Sequence, residues 1–167
     1  MNPLIKLHED INGRVDDIRT HHPDWLCRMG CDFCCRRLAE IPRLTEAEWD
    51  LLKTGLLALS KKQFYSVVEK INDLSVLNKG PIECPMLDQS TGACRVYEHR
   101  PVACRTYGFY VQRDLGLYCN DIKTEVEQGA LADVVWGNHD TIDRRLSALG
   151  DTRELTEWFF GLTYTPK

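Results

Sequence analysis

The sequence has no long apolar run. The longest, Leu56 to Leu59, is far short of the roughly 20 residues that a membrane-spanning helix needs. Met1 to Asp10 holds Glu9 and Asp10 and no apolar h-region, so no secretory signal is expected and the expected compartment is the cytosol. Cations are not in excess: the formal net charge is -4, and no basic field invites nucleic acid. A glycine-rich nucleotide-binding fingerprint, a lipidation box, an internal repeat and a low-complexity tract are all missing. With 43% hydrophobic and 28% charged residues, the chain is rich enough in apolar side chains to build a core and does not read as disordered. The expectation is one soluble domain over residues 1–167, about the length that supports a single core.

Cysteine, by contrast, is concentrated. The chain holds eight, in two bunches. Cys27, Cys31, Cys34 and Cys35 read C-RMG-C-DF-C-C, and Cys84, Cys94, Cys104 and Cys119 are spread over a later segment. Thiols stay reduced in the cytosol, so grouped cysteines point to metal or catalytic sites before disulfides. Cys34 and Cys35 are adjacent, and adjacent cysteines rarely bridge to each other. One such cysteine would read as a small buried hydrophobe. Four of them between Cys27 and Cys35 read as ligands.

The spacing supports this. Thiolates binding a tetrahedral ion converge to about 2.3 Å from it. Cys31-x-x-Cys34 does so from one turn, and Cys27 stands one helical turn before Cys31. Cys35 is expected to point away from Cys34, since consecutive side chains diverge. The later cysteines, mostly ten or more residues apart, suit ligands on separate elements. The eight allow two four-sulfur sites, one cluster with spare thiols, or a joined polynuclear site. Asp88, Tyr97 and His99 lie among the second bunch as further candidate ligands or donors, although each is commoner as a turn former, a core aromatic or a surface residue. His21-His22 reads as a solvated helix end, and His8 and His139 have no supporting context. Every cation from Cys27 to Arg37 and from Cys84 to Cys119 is arginine, a side chain that donates several hydrogen bonds to a negatively charged centre and tolerates partial burial. Trp25, Trp49, Trp136 and Trp158 are expected as core or interface anchors.

The expected fold is mainly α with a small irregular or β-hairpin cysteine-rich centre, stabilised by metal, with its motif core at about residues 25–119. Leu4, Ile5, Leu7, Ile11, Val15 and Ile18 recur near helical spacing and predict a helix that stops before His22-Pro23 and is weakened at Gly13. Thr45 with Glu48 three residues on forms a capping box for a second helix. Lys61 to Leu77 predicts a third, ended by Lys79-Gly80-Pro81. A hairpin is predicted from Cys84 to Tyr97, a short helix from Arg100 with Pro101 in its first turn, a strand at Phe109 to Gln112, and helices at about Thr141–Leu149 and Thr152–Phe160.

These residues resemble a known family. C-x(3)-C-x(2)-C-C, then C-P-x-L-D, then G-x-C-x-V-Y-E-x-R-P-x-x-C-R resembles the YkgJ-type, or CxxCxxCC, zinc- or iron-chelating domain. The matching residues are Cys27, Cys31, Cys34 and Cys35, then Cys84, Pro85 and Leu87, then Cys94, Val96, Tyr97, Glu98, Arg100, Pro101, Cys104 and Arg105. Cys119 follows as a further ligand candidate. The first gap is three residues instead of two, which sets Cys27 apart from Cys31, Cys34 and Cys35. The resemblance implies chelation of zinc or iron, the iron alone or in an iron–sulfur cluster. A flagellin lysine N-methylase shares the cysteine pattern as a distant relative, which implies a methyl-transfer branch, but no residue motif here supports that activity.

Two functions compete. The first is a metal-binding module with closed coordination by protein ligands. The second is a zinc or iron–sulfur enzyme, an oxidoreductase or a protein N-methylase-like catalyst, with an open metal position and Arg100, Arg105 or Tyr107 lining it. A thiol redox protein fits less well, because C-x-x-C lacks its βαβ context here. The expected partner is a metal ion, without nucleic acid or membrane.

Overall fold

The computed structural model describes residues 2–77 and 80–163, about half of them helical. In chain order the helices are α1 (Pro3–His21), α2 (Phe33–Arg36), α3 (Glu46–Leu57), α4 (Lys61–Leu74), α5 (Val102–Thr106), α6 (Asn120–Glu127), α7 (His139–Ser147) and α8 (Leu155–Thr163). A 3-10 turn at Tyr97–His99 precedes α5. The strands are β1 (Arg43–Leu44), β2 (Leu87–Asp88), β3 (Ala93–Cys94), β4 (Tyr110–Gln112), β5 (Leu115–Leu117), β6 (Gly137–Asn138) and β7 (Arg153–Glu154). Among the described residues no helix is long and apolar enough to cross a membrane. Contacts divide the chain into two compact units, Met1–Arg28 with Val102–Gly150, and Met29–Pro101 with Asp151–Lys167.

In the first unit, α1 starts where Asn2 accepts a hydrogen bond from the Leu4 N–H at 2.9 Å and Pro3 fills a position whose N–H has no helical partner. Leu4, Leu7, Ile11, Val15 and Ile18 form its buried stripe, as the periodicity predicts, and His8 lies buried on the same stripe, whereas Ile5, next to Leu4, turns out to solvent. Helices α5 and α7 pack on α1. Strand β4 pairs antiparallel with β5 and parallel with β6. Trp25 stacks on Phe109 at 5.8 Å and tilts against Trp136 at 5.6 Å, anchoring this unit as expected.

In the second unit, α3 carries the predicted capping box. The Glu48 carboxylate accepts from the Thr45 N–H at 2.9 Å, and the Thr45 hydroxyl accepts from the Glu48 N–H. The core gathers Leu44, Trp49, Leu52, Ile71, Met86 and Phe159, among others. Trp158 donates its indole N–H to the Leu44 carbonyl at 2.8 Å. The predicted hairpin is present but short, with Leu87 opposite Cys94.

Three boundaries differ from expectation. Helix α4 ends at Leu74 instead of Leu77: the Ser75 hydroxyl bonds back to the Asn72 carbonyl at 2.6 Å, competing with the next helical turn. Of its predicted terminator, Lys79 lies outside the described residues. Helix α8 starts at Leu155 and not Thr152, because Arg153 and Glu154 pair with β1. Pro101 precedes α5 without joining it.

Candidate metal centre

All eight cysteines are free thiols, with no disulfide. The second unit holds Cys31, Cys34, Cys35, Cys84 and Cys94, and the first holds Cys27, Cys104 and Cys119.

Four thiols of the second unit are neighbours. The short helix α2 places Cys34 Sγ 3.9 Å from Cys35 Sγ. This overturns the expectation that the adjacent pair diverges: in this single turn the two sulfurs stay within reach of each other. The Cys84 N–H donates to the Cys35 carbonyl at 2.7 Å, which sets the two residues side by side. Cys84 and Cys94 pack, half-buried, against the apolar core. Hydrogen bonding with Cys35, then burial, push the Cys34 thiol well above the usual range. Cys35 is pushed up to about 12. Its bond with Cys34 pulls it down, but the adjoining Cys84 thiol, burial, and the charges of Cys84 and Cys94 outweigh that. Burial raises Cys94, against a pull from the nearby Arg100. Without a cation Cys34, Cys35 and Cys94 therefore stay protonated. A thiophilic cation is the counter-charge that would let them ionise together, and in this respect the donor set fits zinc or iron. Among the described residues, however, no three Cys, His, Asp or Glu side chains are arranged to hold a metal ion.

Cys31 sits exposed on the loop before α2. That loop is braced by the hairpin: a Cβ on Gly92 would meet the Gly30 carbonyl oxygen at 2.8 Å and the Asp32 carboxylate at 3.3 Å. Cys27 is held in the first unit, where its thiol donates to the Tyr107 carbonyl at 3.5 Å and its own carbonyl accepts from Arg19 at 3.1 Å. Cys104 is exposed on α5, and Cys119 is the half-buried residue just before α6.

The secondary candidates have structural roles. The Asp88 carboxylate accepts from the Ser90 N–H at 2.9 Å and the Ser90 hydroxyl at 2.6 Å, which makes it the turn former of the hairpin. Arg100 lies 3.4 Å from the centre of the Tyr97 ring and donates to the Tyr97 carbonyl at 2.8 Å. His99 fills the gap left by Gly55 on α3. Arg105 is buried and reaches the Asn12 side chain at 3.5 Å. Two other arginines of the cysteine segments also have protein partners: Arg36 pairs with Asp32 at 2.6 Å and Arg95 with Asp88 at 4.0 Å.

His8, which the sequence gives no supporting context, is buried. Burial first, and the Arg105 charge second, lower its pKa to about 4, and its Nε2 has no hydrogen-bond partner among the described residues. The signal was its place four residues after Leu4 on the apolar stripe.

No curated protein and no solved structure matches the chain. A family model does, the one described as "CxxCxxCC: Putative zinc- or iron-chelating domain", over residues 26–130. That span is well over half of the chain and includes all eight cysteines, and the chain belongs to the CxxCxxCC family of zinc- or iron-chelating domains.

Proposed function

We propose that the protein binds zinc or iron through thiolates, with Cys34, Cys35, Cys84 and Cys94 as the nucleus of the ligand set. The observation that carries this reading is the 3.9 Å approach of the Cys34 and Cys35 thiols, with Cys84 and Cys94 packed on the apolar core and near enough for their charges to act on Cys35. Four thiolates satisfy either a single zinc ion or the irons of an iron–sulfur cluster. Cys31 enters as a further ligand from the loop before α2. Cys27, Cys104 and Cys119, in the first unit, are further candidate ligands in their own right, and metal stoichiometry counts the centres. Nothing about Arg100 favours the enzyme alternative, because its guanidinium is engaged by the Tyr97 ring and carbonyl.

Metal and acid-labile sulfide analysis of protein purified without oxygen tests the proposal. Stoichiometric zinc or iron in the native chain, lost in a Cys34→Ser/Cys35→Ser variant that keeps its helical signal, supports it. Iron with sulfide and a brown colour selects the cluster, and colourless protein with zinc selects the ion. Native protein carrying neither metal, and binding neither when they are added, overturns it.

A further inference from the structure

The second unit carries a groove of about 480 Å³, lined by the end of α4, by α8 and by the chain before β1, and none of its described lining residues is a cysteine. Its floor is apolar: Leu74 and Ile82 are buried there and Phe160 is half-buried. At the rim Leu77 is 49% exposed. A concave surface with such a floor suits one apolar side chain brought by a ligand.

The charge around the groove has one sign. Glu40, Glu154 and Glu157 line it, and no Lys, Arg or His is among its described lining residues. Arg43 stands 3.9 Å from Glu154, but its guanidinium is turned to Thr152, donating to the carbonyl at 2.9 Å and the hydroxyl at 3.3 Å. Glu157 accepts from the Glu154 N–H at 2.7 Å through one oxygen, which leaves the other open. Glu40 is exposed and makes no ion pair or hydrogen bond among the described residues. Three carboxylates facing one arginine leave two negative charges uncompensated, so the complement of this groove is cationic and carries more than one charge.

The third feature is backbone. Leu38 and Ile82 exchange N–H to carbonyl bonds at 2.9 Å each, and pairing resumes at Arg43 in β1. Between them Glu40 and Ile41 line the groove, and no backbone hydrogen bond joins either to another described residue. Their N–H and C=O groups must bond to something. A second chain laid alongside can pair with them, as in strand addition, whereas a small amine would leave them to water.

We infer that this groove binds a basic peptide segment of another protein: one apolar side chain of the segment rests on Leu74, Ile82 and Phe160, its flanking lysines or arginines face Glu40, Glu154 and Glu157, and its backbone pairs with that of Glu40 and Ile41.

The probe is the peptide acetyl-Lys-Lys-Phe-Lys-Lys-amide, followed through the backbone amide resonances of Ala39, Glu40 and Glu157 in the full chain. It shifts these resonances saturably, and more weakly as salt rises. Peptides with Glu for every Lys, or Gly for Phe, bind at least about tenfold less tightly. N-methylation of the backbone on both sides of Phe, which removes donors and keeps the charges, weakens binding about fivefold, the value of one backbone hydrogen bond. Glu40→Gln weakens it about two- to fivefold, and Leu77→Ser does so by a similar factor. Both positions are exposed, so Tm stays within about 2 °C of the native value and a lost site is told apart from a lost fold. The inference is overturned by the absence of saturable shifts, by equal binding of the Glu or N-methylated peptide, or by Glu40→Gln and Leu77→Ser both binding like the native chain. Reversible dimerisation of the peptide-free chain in sedimentation, abolished by Leu77→Ser, would also overturn it and make a second copy the occupant.

Discussion

A Cβ on Gly108 would lie 2.8 Å from both Cβ and Sγ of Cys27. Gly108 also has φ +90°, in the region that only glycine enters without strain. Gly108→Ala should therefore cost about 3 kcal/mol, from backbone strain and overpacking together, read as a lower urea midpoint. Alkylation of Cys27, followed by peptide mapping, should accelerate in the same variant. Adding Cys27→Ala should recover about half the loss by removing the clash. No recovery would mean that the backbone strain alone is responsible.

His8 predicts an acid-labile fold. Its pKa is lowered from 6.5 to about 4, so the folded state binds the proton less well than the unfolded chain. The stability this confers is complete above pH 6.5 and is lost as pH falls from there towards 4. The loss reaches about 3 kcal/mol at full protonation. Urea denaturation between neutral and mildly acidic pH should show that slope, and His8→Leu should flatten it. A native slope that persists in His8→Leu would place the titrating group elsewhere.

Gly55 inverts the usual effect of a helical glycine. A Cβ there would meet the His99 ring at 2.7 Å, so Gly55→Ala should destabilise by about 1–3 kcal/mol although alanine is the better helix former. In a His99→Ala background the same change should stabilise, by up to about 1 kcal/mol. The sign change in this double-mutant cycle is the measurement, and additive effects would contradict the contact.

Chelation should act locally. Metal-ligand bonds can contribute on the order of 10 kcal/mol to small domains, but here α3, α4 and α8 share an apolar core of their own. Hydrogen exchange should therefore rise with chelator around Phe33–Arg36 and Leu87–Cys94, with the interior of α1 unchanged. Cys35→Ser should reproduce that pattern without chelator. Identical exchange with and without chelator would argue against a bound metal.

The features legible in the sequence are those whose cause is local. Thr45 and Glu48 announce α3 because a capping box is complete within four residues, and the stripe from Leu4 to Ile18 announces α1 because periodicity needs no partner. Strands β6 and β7 carry no such mark. Val111 pairs with Asn138 and Arg43 with Glu154, through backbone groups that two-residue strands expose whatever their side chains. The start of α8 was misplaced for that reason. At the candidate site the cysteines themselves were plain, as was the family they indicate. Their division between the two units was not, because Cys27 and Cys31, one helical turn apart in sequence, fall on opposite sides of the Arg28–Met29 boundary.

The turn that ends in Gly92 rests on the carbonyl of Gly30, next to Cys31. Inserting an affinity tag or fluorophore between Gln89 and Gly92, an exposed and superficially permissive place, would lever the Cys31 loop aside. Attachment in the exposed stretch after α6, at Gly129 or Ala130, would leave that loop where it is.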